Sequence, residues 1–138
     1  VLPSAGPCPC GSGRAYDACC GPLHRGAERA STPEQLMRSR YAAFARGEAD
    51  YLFRTWHPRT RPDDVGVDAT TTWTGLEVHG SGLTPADPDD PRGTDAPQEG
   101  WVEFTAHYAV GGARGRLHER SRFVLRAGHW LYLDGVHD

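Results

Sequence analysis

The chain has 138 residues, with 15 Arg and no Lys against 18 acidic residues, for a formal charge of −3 and a pI near 6.2. That length holds one domain, or one domain with a small appendage, and it can bury a core although 38% of the residues are hydrophobic. The acidic balance argues against coating DNA or an anionic membrane by bulk charge, and a mean hydropathy of −0.60 with no apolar run near spanning length argues against a membrane protein.

The opening, Val1 to Pro7, has neither a basic n-region nor an apolar stretch, so no secretory leader is expected and the cytoplasm is the expected location. All four cysteines, Cys8, Cys10, Cys19 and Cys20, follow within thirteen consecutive residues. Adjacent Cys19 and Cys20 cannot both bridge to Cys8 and Cys10 without severe strain, so the favoured reading is four thiolates on one tetrahedral ion. Gly11 and Gly13 permit the positive φ of a tight metal loop. Ser12 is expected to cap a short helical turn that carries Tyr16 and presents the second cysteine pair. Soft thiolates select Zn²⁺, or Fe²⁺ where it is available. A fold-stabilising ion outweighs a catalytic one, because four protein thiolates leave no position for a substrate water.

The spacing C-x-C-x8-C-C, with Cys8-Pro9-Cys10-Gly11-Ser12-Gly13 inside it, resembles the SEC-C motif found at the C-terminus of the SecA preprotein translocase. In that family the fourth ligand is His or Cys, and Cys20 occupies the matching position. His24, four residues further on, is a weaker candidate that would replace Cys20 if that side chain pointed away.

A short basic linker from His24 to Ala30 leads to Thr32, Pro33 and Gln35, a capping-box pattern that predicts a helix to about Arg46, with Leu36, Met37, Tyr41 and Phe44 inward and Gly47 ending it. A second helix is predicted from Glu48 to Trp56, stopped by His57-Pro58. The rest reads as β: Thr72 to His79, Gly100 to Val110, Arg114 to Arg126 and His129 to Val136, with tight turns at Gly111-Gly112 and Ala127-Gly128 that make the last three strands a meander. Thr84 to Gly100 holds four prolines and five acids in 17 residues and reads as an extended loop. Charge is uneven, since residues 1–62 carry 9 Arg and 5 acids whereas residues 63–138 carry 6 Arg and 13 acids.

Two helices before a bent antiparallel sheet make an α+β fold with helices covering one sheet face. Leu36-Met37-Arg38-Ser39-Arg40-Tyr41, Ala49-Asp50-Tyr51-Leu52, Thr55-Trp56-His57-Pro58, Val102-Glu103-Phe104, Glu119-Arg120-Ser121-Arg122-Phe123 and Trp130 to Gly135 resemble the YchJ family, in order and over nearly the whole chain. The resemblance implies a SEC-C metal unit at residues 1–24 joined to a domain at residues 25–138 similar to the nuclear transport factor two and cystatin-like cone. The Pro/Asp-rich loop at 84–100 looks like an insertion. The linker after Pro22 lacks an apolar pattern, so deleting residues 1–22 is expected to leave a folded domain.

Period two puts Leu117, Glu119, Ser121, Phe123 and Leu125 on one face, which makes Glu119 a carboxylate on an apolar surface. It is expected to pair with Arg38 or Arg40; the other reading is a functional acid lining a cavity, with His57 and Tyr132 as companions. The opposite face carries Arg114, Arg116, His118, Arg120 and Arg122, a row expected to be neutralised by Glu103 or Asp134, with nucleic-acid binding as a minor reading. Trp73, Trp101 and Trp130 read as packing. The leading function is a non-enzymatic metal-binding adaptor, and resemblance to SEC-C units implies partners such as the ribosome or a chaperone. The alternative is a small-molecule binder or acid–base enzyme that uses the cone through Glu119, His57 and Tyr132.

Overall fold

A computed structural model describes residues 6–137, so most of the Val1–Pro7 stretch behind the leader argument lies outside the described residues. Three helices, α1 (Gly21–His24), α2 (Pro33–Arg46) and α3 (Ala49–Arg54), precede four strands, β1 (Thr71–Thr84), β2 (Glu99–Val110), β3 (Ala113–Arg126) and β4 (His129–His137). The strands pair antiparallel in the order β1-β2-β3-β4, so the meander takes in the whole sheet. Among the described residues no helix is long and apolar enough to cross a membrane.

The start of α2 follows from its cap. Thr32 Oγ1 accepts from the Gln35 N–H at 3.1 Å, and the Gln35 side chain accepts from the Ser31 N–H at 2.7 Å, one residue earlier than a capping box requires. Gly47, at φ 77°, ends the helix in the left-handed conformation. Helix α3 stops before Trp56 because the next residues are recruited by β4: Tyr132 donates its N–H to Thr55 O, and His57 donates to Tyr132 O, both at 2.8 Å. This short parallel bridge holds the end of α3 on the sheet.

Strand β1 runs five residues beyond the expected end, to Thr84. Gly80 and Gly82 hide the alternation, and the Trp101 indole takes the place of their missing side chains: a Cβ on Gly82 would stand 3.2 Å from its Nε1. The guanidinium of Arg120 sits 4.1 Å from the same ring. Thr84 pairs with Glu99, so the Pro/Asp-rich segment is the tip of the β1–β2 hairpin.

Both predicted two-residue turns have positive φ at each central residue, 57° and 85° at Gly111-Gly112, 51° and 81° at Ala127-Gly128. Ala127 bears a side chain in a region that favours Gly or Asn. Ala127→Asn is therefore expected to raise stability by about 0.5–1 kcal/mol, read as a higher urea midpoint at unchanged slope.

The core lies between α2 and the concave sheet face. Leu36, Met37 and Tyr41 of α2 and Leu52 of α3 meet Val102, Phe104 and Ala106 of β2, Phe123 of β3 and Trp130 of β4. Trp73 packs edge-on against Tyr41 and Tyr108 at the margin of this core. Leu23, only 2% exposed, belongs to this same core.

Candidate metal centre and cone cavity

The Cys8–Cys10 turn closes through the Gly11 N–H on Cys8 O (3.2 Å) and is braced by the Cys8 N–H on Arg14 O (2.8 Å). Gly11 and Gly13 both have positive φ, 78° and 82°. The helical turn that presents the second pair spans Tyr16–Ala18 and is not capped by Ser12. The Ser12 hydroxyl instead accepts from the Arg14 N–H and lies 3.1 Å from Cys19 Sγ, because the loop bends it towards the sulfurs.

All four Sγ atoms lie within 4.8 Å of one another. Cys10 and Cys19 are 3.6 Å apart and Cys19 and Cys20 3.9 Å, with no disulfide. A tetrahedral zinc with sulfur bonds of about 2.3 Å spaces its ligands by roughly 3.8 Å, so this donor set fits such an ion. Charge leads to the same conclusion. The neighbouring thiols hydrogen-bond the Cys10 sulfur and hold its pKa far below the ordinary thiol range, while the same contacts push Cys20 up and Cys8 to about 11. Four sulfurs this close ionise together only around a cation.

His24 is not part of the cluster. Its Nε2–H donates to Ser39 O at 2.8 Å and its Nδ1 accepts from the Tyr16 hydroxyl at 2.6 Å, so both ring nitrogens are engaged. Burial pushes its pKa down and keeps it neutral. The imidazole joins the cysteine unit to the helices, packing against the Tyr51 ring in a tilted arrangement with centroids 4.7 Å apart. Arg38 Nη1 donates to Cys10 O (2.8 Å), Arg46 lies 3.8 Å over the Tyr16 ring, and Ala42 of α2 packs among Cys8, Cys10 and Cys20. Residues 7–24 thus share a buried seam with α2 and α3.

A second site lies within the cone. Between α2 and the sheet is a cavity of about 340 Å³, lined by aromatic and aliphatic side chains with Arg40, Glu119, Ser121, Tyr132 and His137 on its wall. Register explains this convergence: Glu119 stands opposite His137 and Ser121 opposite Gly135. A Cβ at position 135 would collide with the Glu119 side chain, so Gly135 makes the room. Glu119 accepts from Ser121, from the Tyr132 hydroxyl at 3.0 Å and from His137 Nε2 at 2.5 Å. Burial and the adjacent Glu119 carboxylate push the Tyr132 hydroxyl pKa well up, so it stays a donor.

The expected pairing of Glu119 with an arginine does not form. Arg38 turns to Glu34 (3.0 Å) and to the cysteine loop, while Arg40 donates to Leu52 O and Thr55 Oγ1 at the end of α3. The packing of α3 against α2 supplies Arg40 with these acceptors at 3.0 and 2.7 Å, in place of Glu119. His57 is not among the cavity-lining residues. The bridge to Tyr132 carries it past the helix end, where Nδ1 accepts from the Arg59 N–H at 3.0 Å. Tyr132 is brought to Glu119; His57 is not. Ser121, Arg40 and His137 complete the group, and of these only Ser121 was visible by strand period. On the outer face, Arg122 pairs with Asp134 (2.6 Å), and His118 (2.8 Å) and Arg120 (3.9 Å) pair with Glu103, the expected neutralisation for these three members of the row.

Because three donors other than arginine hold Glu119, Glu119→Gln is expected to change stability by less than about 1 kcal/mol. The amide oxygen still accepts from Ser121 and Tyr132, and the lost pair is with a half-exposed imidazole. Chemical denaturation at neutral pH checks this, and a loss of several kcal/mol would restore a buried ion pair.

Two family models match this chain, one described as YchJ, middle NTF2-like domain, over residues 32–135, the other the SEC-C motif over residues 7–22. The chain is similar to a UPF0225 protein of Streptomyces coelicolor, 49% identical over 129 residues that cover 94% of each protein. It is also similar to a UPF0225 protein of Deinococcus radiodurans, 47% identical over 133 residues, covering 94% of this chain and 88% of that one. Among solved structures it resembles the solution structure of a SEC-C motif containing protein from Rhodopseudomonas palustris, with 37% identity, TM-score 0.77, and coverage of 94% and 96% of the two chains. The crystal structure of a sec-c motif containing protein from Psychrobacter arcticus is also similar, with 28% identity, TM-score 0.76, and coverage of 97% and 84%.

Proposed function

The chain belongs to the YchJ family and carries a SEC-C motif whose four clustered cysteines suggest metal binding, and from that premise we propose that it is a zinc-stapled, non-enzymatic accessory protein of the cytoplasm that docks a protein partner. The observation that carries the reading is the convergence of four thiols whose spacing suits one tetrahedral ion. Cys8, Cys10, Cys19 and Cys20 would hold it, with Fe²⁺ the alternative to Zn²⁺. Four protein ligands fill a tetrahedral ion, which supports a structural role. The ion supplies charge compensation for the thiolates, and the chain's own Arg38, Ser12 and Gly11 hold the loop in shape.

A docking role is supported by an open groove of about 620 Å³ that runs past the 26–30 linker, α3 and the β3–β4 turn. Arg29, Arg54, Arg61 and Arg126 line it with a single acid, Glu28, and none of the four is ion-paired among the described residues. Such a surface suits an acidic segment of a partner, with the ribosome or a chaperone as the candidates that the SEC-C resemblance supplies. Elemental analysis of anaerobically purified protein is expected to find about one zinc per chain. Affinity capture from cytoplasmic extract is expected to recover ribosomes or a chaperone, and less of either after chelation or with Arg54→Glu/Arg126→Glu. Two disulfides in freshly lysed cells would remove the metal reading. Recovery of neither partner would remove the adaptor reading.

A further inference from the structure

The cone cavity contains more hydrogen-bond donors than acceptors. Arg40 is buried, 6% exposed, with its guanidinium 4.9 Å from the Trp56 ring and 4.7 Å from the Tyr132 ring. Only Nη1 is engaged, donating to Leu52 O at 3.0 Å and to Thr55 Oγ1 at 2.7 Å. A guanidinium has five N–H groups, so the Nε and Nη2 donors have no acceptor among the described residues. The Trp56 ring lines the same wall, with its own indole N–H, partnerless among the described residues, enclosed away from the cavity. Glu119 does not supply the missing acceptor: its contacts are with Ser121, Tyr132 and His137, and no hydrogen bond joins it to Arg40. An unpaired buried guanidinium lowers stability, and a methionine would fill the same volume without that cost.

The rest of the wall is apolar and largely aromatic, lined by Met37 and Phe44 of α2 and by Trp73, Phe104, Leu117 and Phe123 of the sheet. Its volume of about 340 Å³ is at the small end of ligand pockets, a size for one ring rather than a nucleotide. The occupant must therefore be flat, apolar over most of its surface, and rich in acceptors at one end. A carboxylate meets that last requirement with two oxygens in the geometry of the free Nε/Nη2 edge of Arg40. Ser121, Tyr132 and His137 hydrogen-bond the Glu119 carboxylate without removing its charge, so an anionic occupant is seated at the free edge of Arg40 and not beside Glu119.

We propose that the cone cavity is a binding site for a small aromatic carboxylate, which Arg40 holds by its carboxylate while Trp73, Phe104 and the neighbouring rings enclose its body. This site is independent of the metal centre, and it assigns Arg40 as the specificity-determining residue. A neutral analogue loses the charge-assisted pair while keeping the apolar contact, so discrimination between acid and amide is the signature of the site.

The probes are phenylacetate and 3-phenylpropionate, each against its primary amide, titrated into the full chain and followed by calorimetry and by the NMR indole signals of Trp56 and Trp73. Both acids are expected to shift these signals, with binding at least about tenfold tighter than the amides. Arg40→Met is expected to keep the cooperative fold and to bring acid and amide to equal, weak affinity. Ala106→Leu narrows the cavity with Arg40 intact and is expected to weaken acid and amide together. The acid–amide comparison on the unaltered chain needs no variant, so it decides the matter even if Arg40→Met fails to fold. Indole signals unmoved by either acid at millimolar concentration, equal binding of acid and amide, or Arg40→Met binding the acid as the unaltered chain does would each overturn the proposal.

Discussion

Cys10→Ser, or chelation of the reduced protein, is expected to cost about 5 kcal/mol or more, a large part of the roughly 5–15 kcal/mol that holds a domain of this kind together. Cys10 is fully buried, its sulfur lies 3.6 Å from Cys19, and its carbonyl receives Arg38 from α2. Without a cation, burial and mutual repulsion keep the four sulfurs from ionising together, and the cluster loses what orders its loop. The loss then spreads through the seam, because Tyr16, His24 and Ser39 form a continuous chain of buried hydrogen bonds into α2. Deleting residues 1–22 is expected to behave similarly, leaving His24 Nδ1 without its donor and baring the α2 face around Ala42. Calorimetry of the intact, chelated and truncated chains checks this. A truncated chain that melts at the same temperature as the intact one would show that the metal unit is a separable knob.

The seam also marks the limit of what local sequence patterns reveal. Helix α2, its cap at Thr32 and its stop at Gly47 were legible because capping chemistry and the period of apolar residues act within a few positions. The four cysteines were legible because their chemistry is unusual and their spacing tight. The extension of β1 was hidden because Gly80 and Gly82 carry no pattern, and the Trp101 that covers them lies on another strand. Tyr132 was named beside Glu119, but the placement of His137 was hidden for a related reason. Period two could place it beside Ser121, but His137 and Tyr132 reach it only through the β3–β4 register, which a bulge between Arg122 and Phe123 shifts. Charge complementarity points Arg38 or Arg40 at Glu119, whereas the tertiary packing gives Arg38 to Glu34 and the cysteine loop and Arg40 to the carbonyl end of α3.

Helix α2 is the shared wall of both sites: Arg38 braces the cysteine loop from one side, and Arg40 enters the cone from another. Its height above the sheet therefore governs both, and Gly100 sets that height at its first turn. A Cβ on Gly100 would overlap the Pro33 ring and stand 3.0 Å from the backbone oxygen of Gly82 on β1. Neither neighbour is the flexible end of a side chain, so Gly100→Ala must lift the start of α2 or part the β1–β2 pair. The expected cost is about 3 kcal/mol, the upper range for overpacking a tight interior. Gly75, on the same sheet, is the matched control: its nearest neighbour would be His107 Cδ2 at 3.8 Å, an ordinary contact. Gly75→Ala is expected to change stability by less than about 1 kcal/mol. Urea midpoints of the two variants give the comparison, and thiol accessibility in Gly100→Ala tests whether lifting α2 also loosens the cysteine loop through Arg38. Equal costs at the two positions would mean that the seating of α2 on the sheet does not depend on the missing side chain at Gly100.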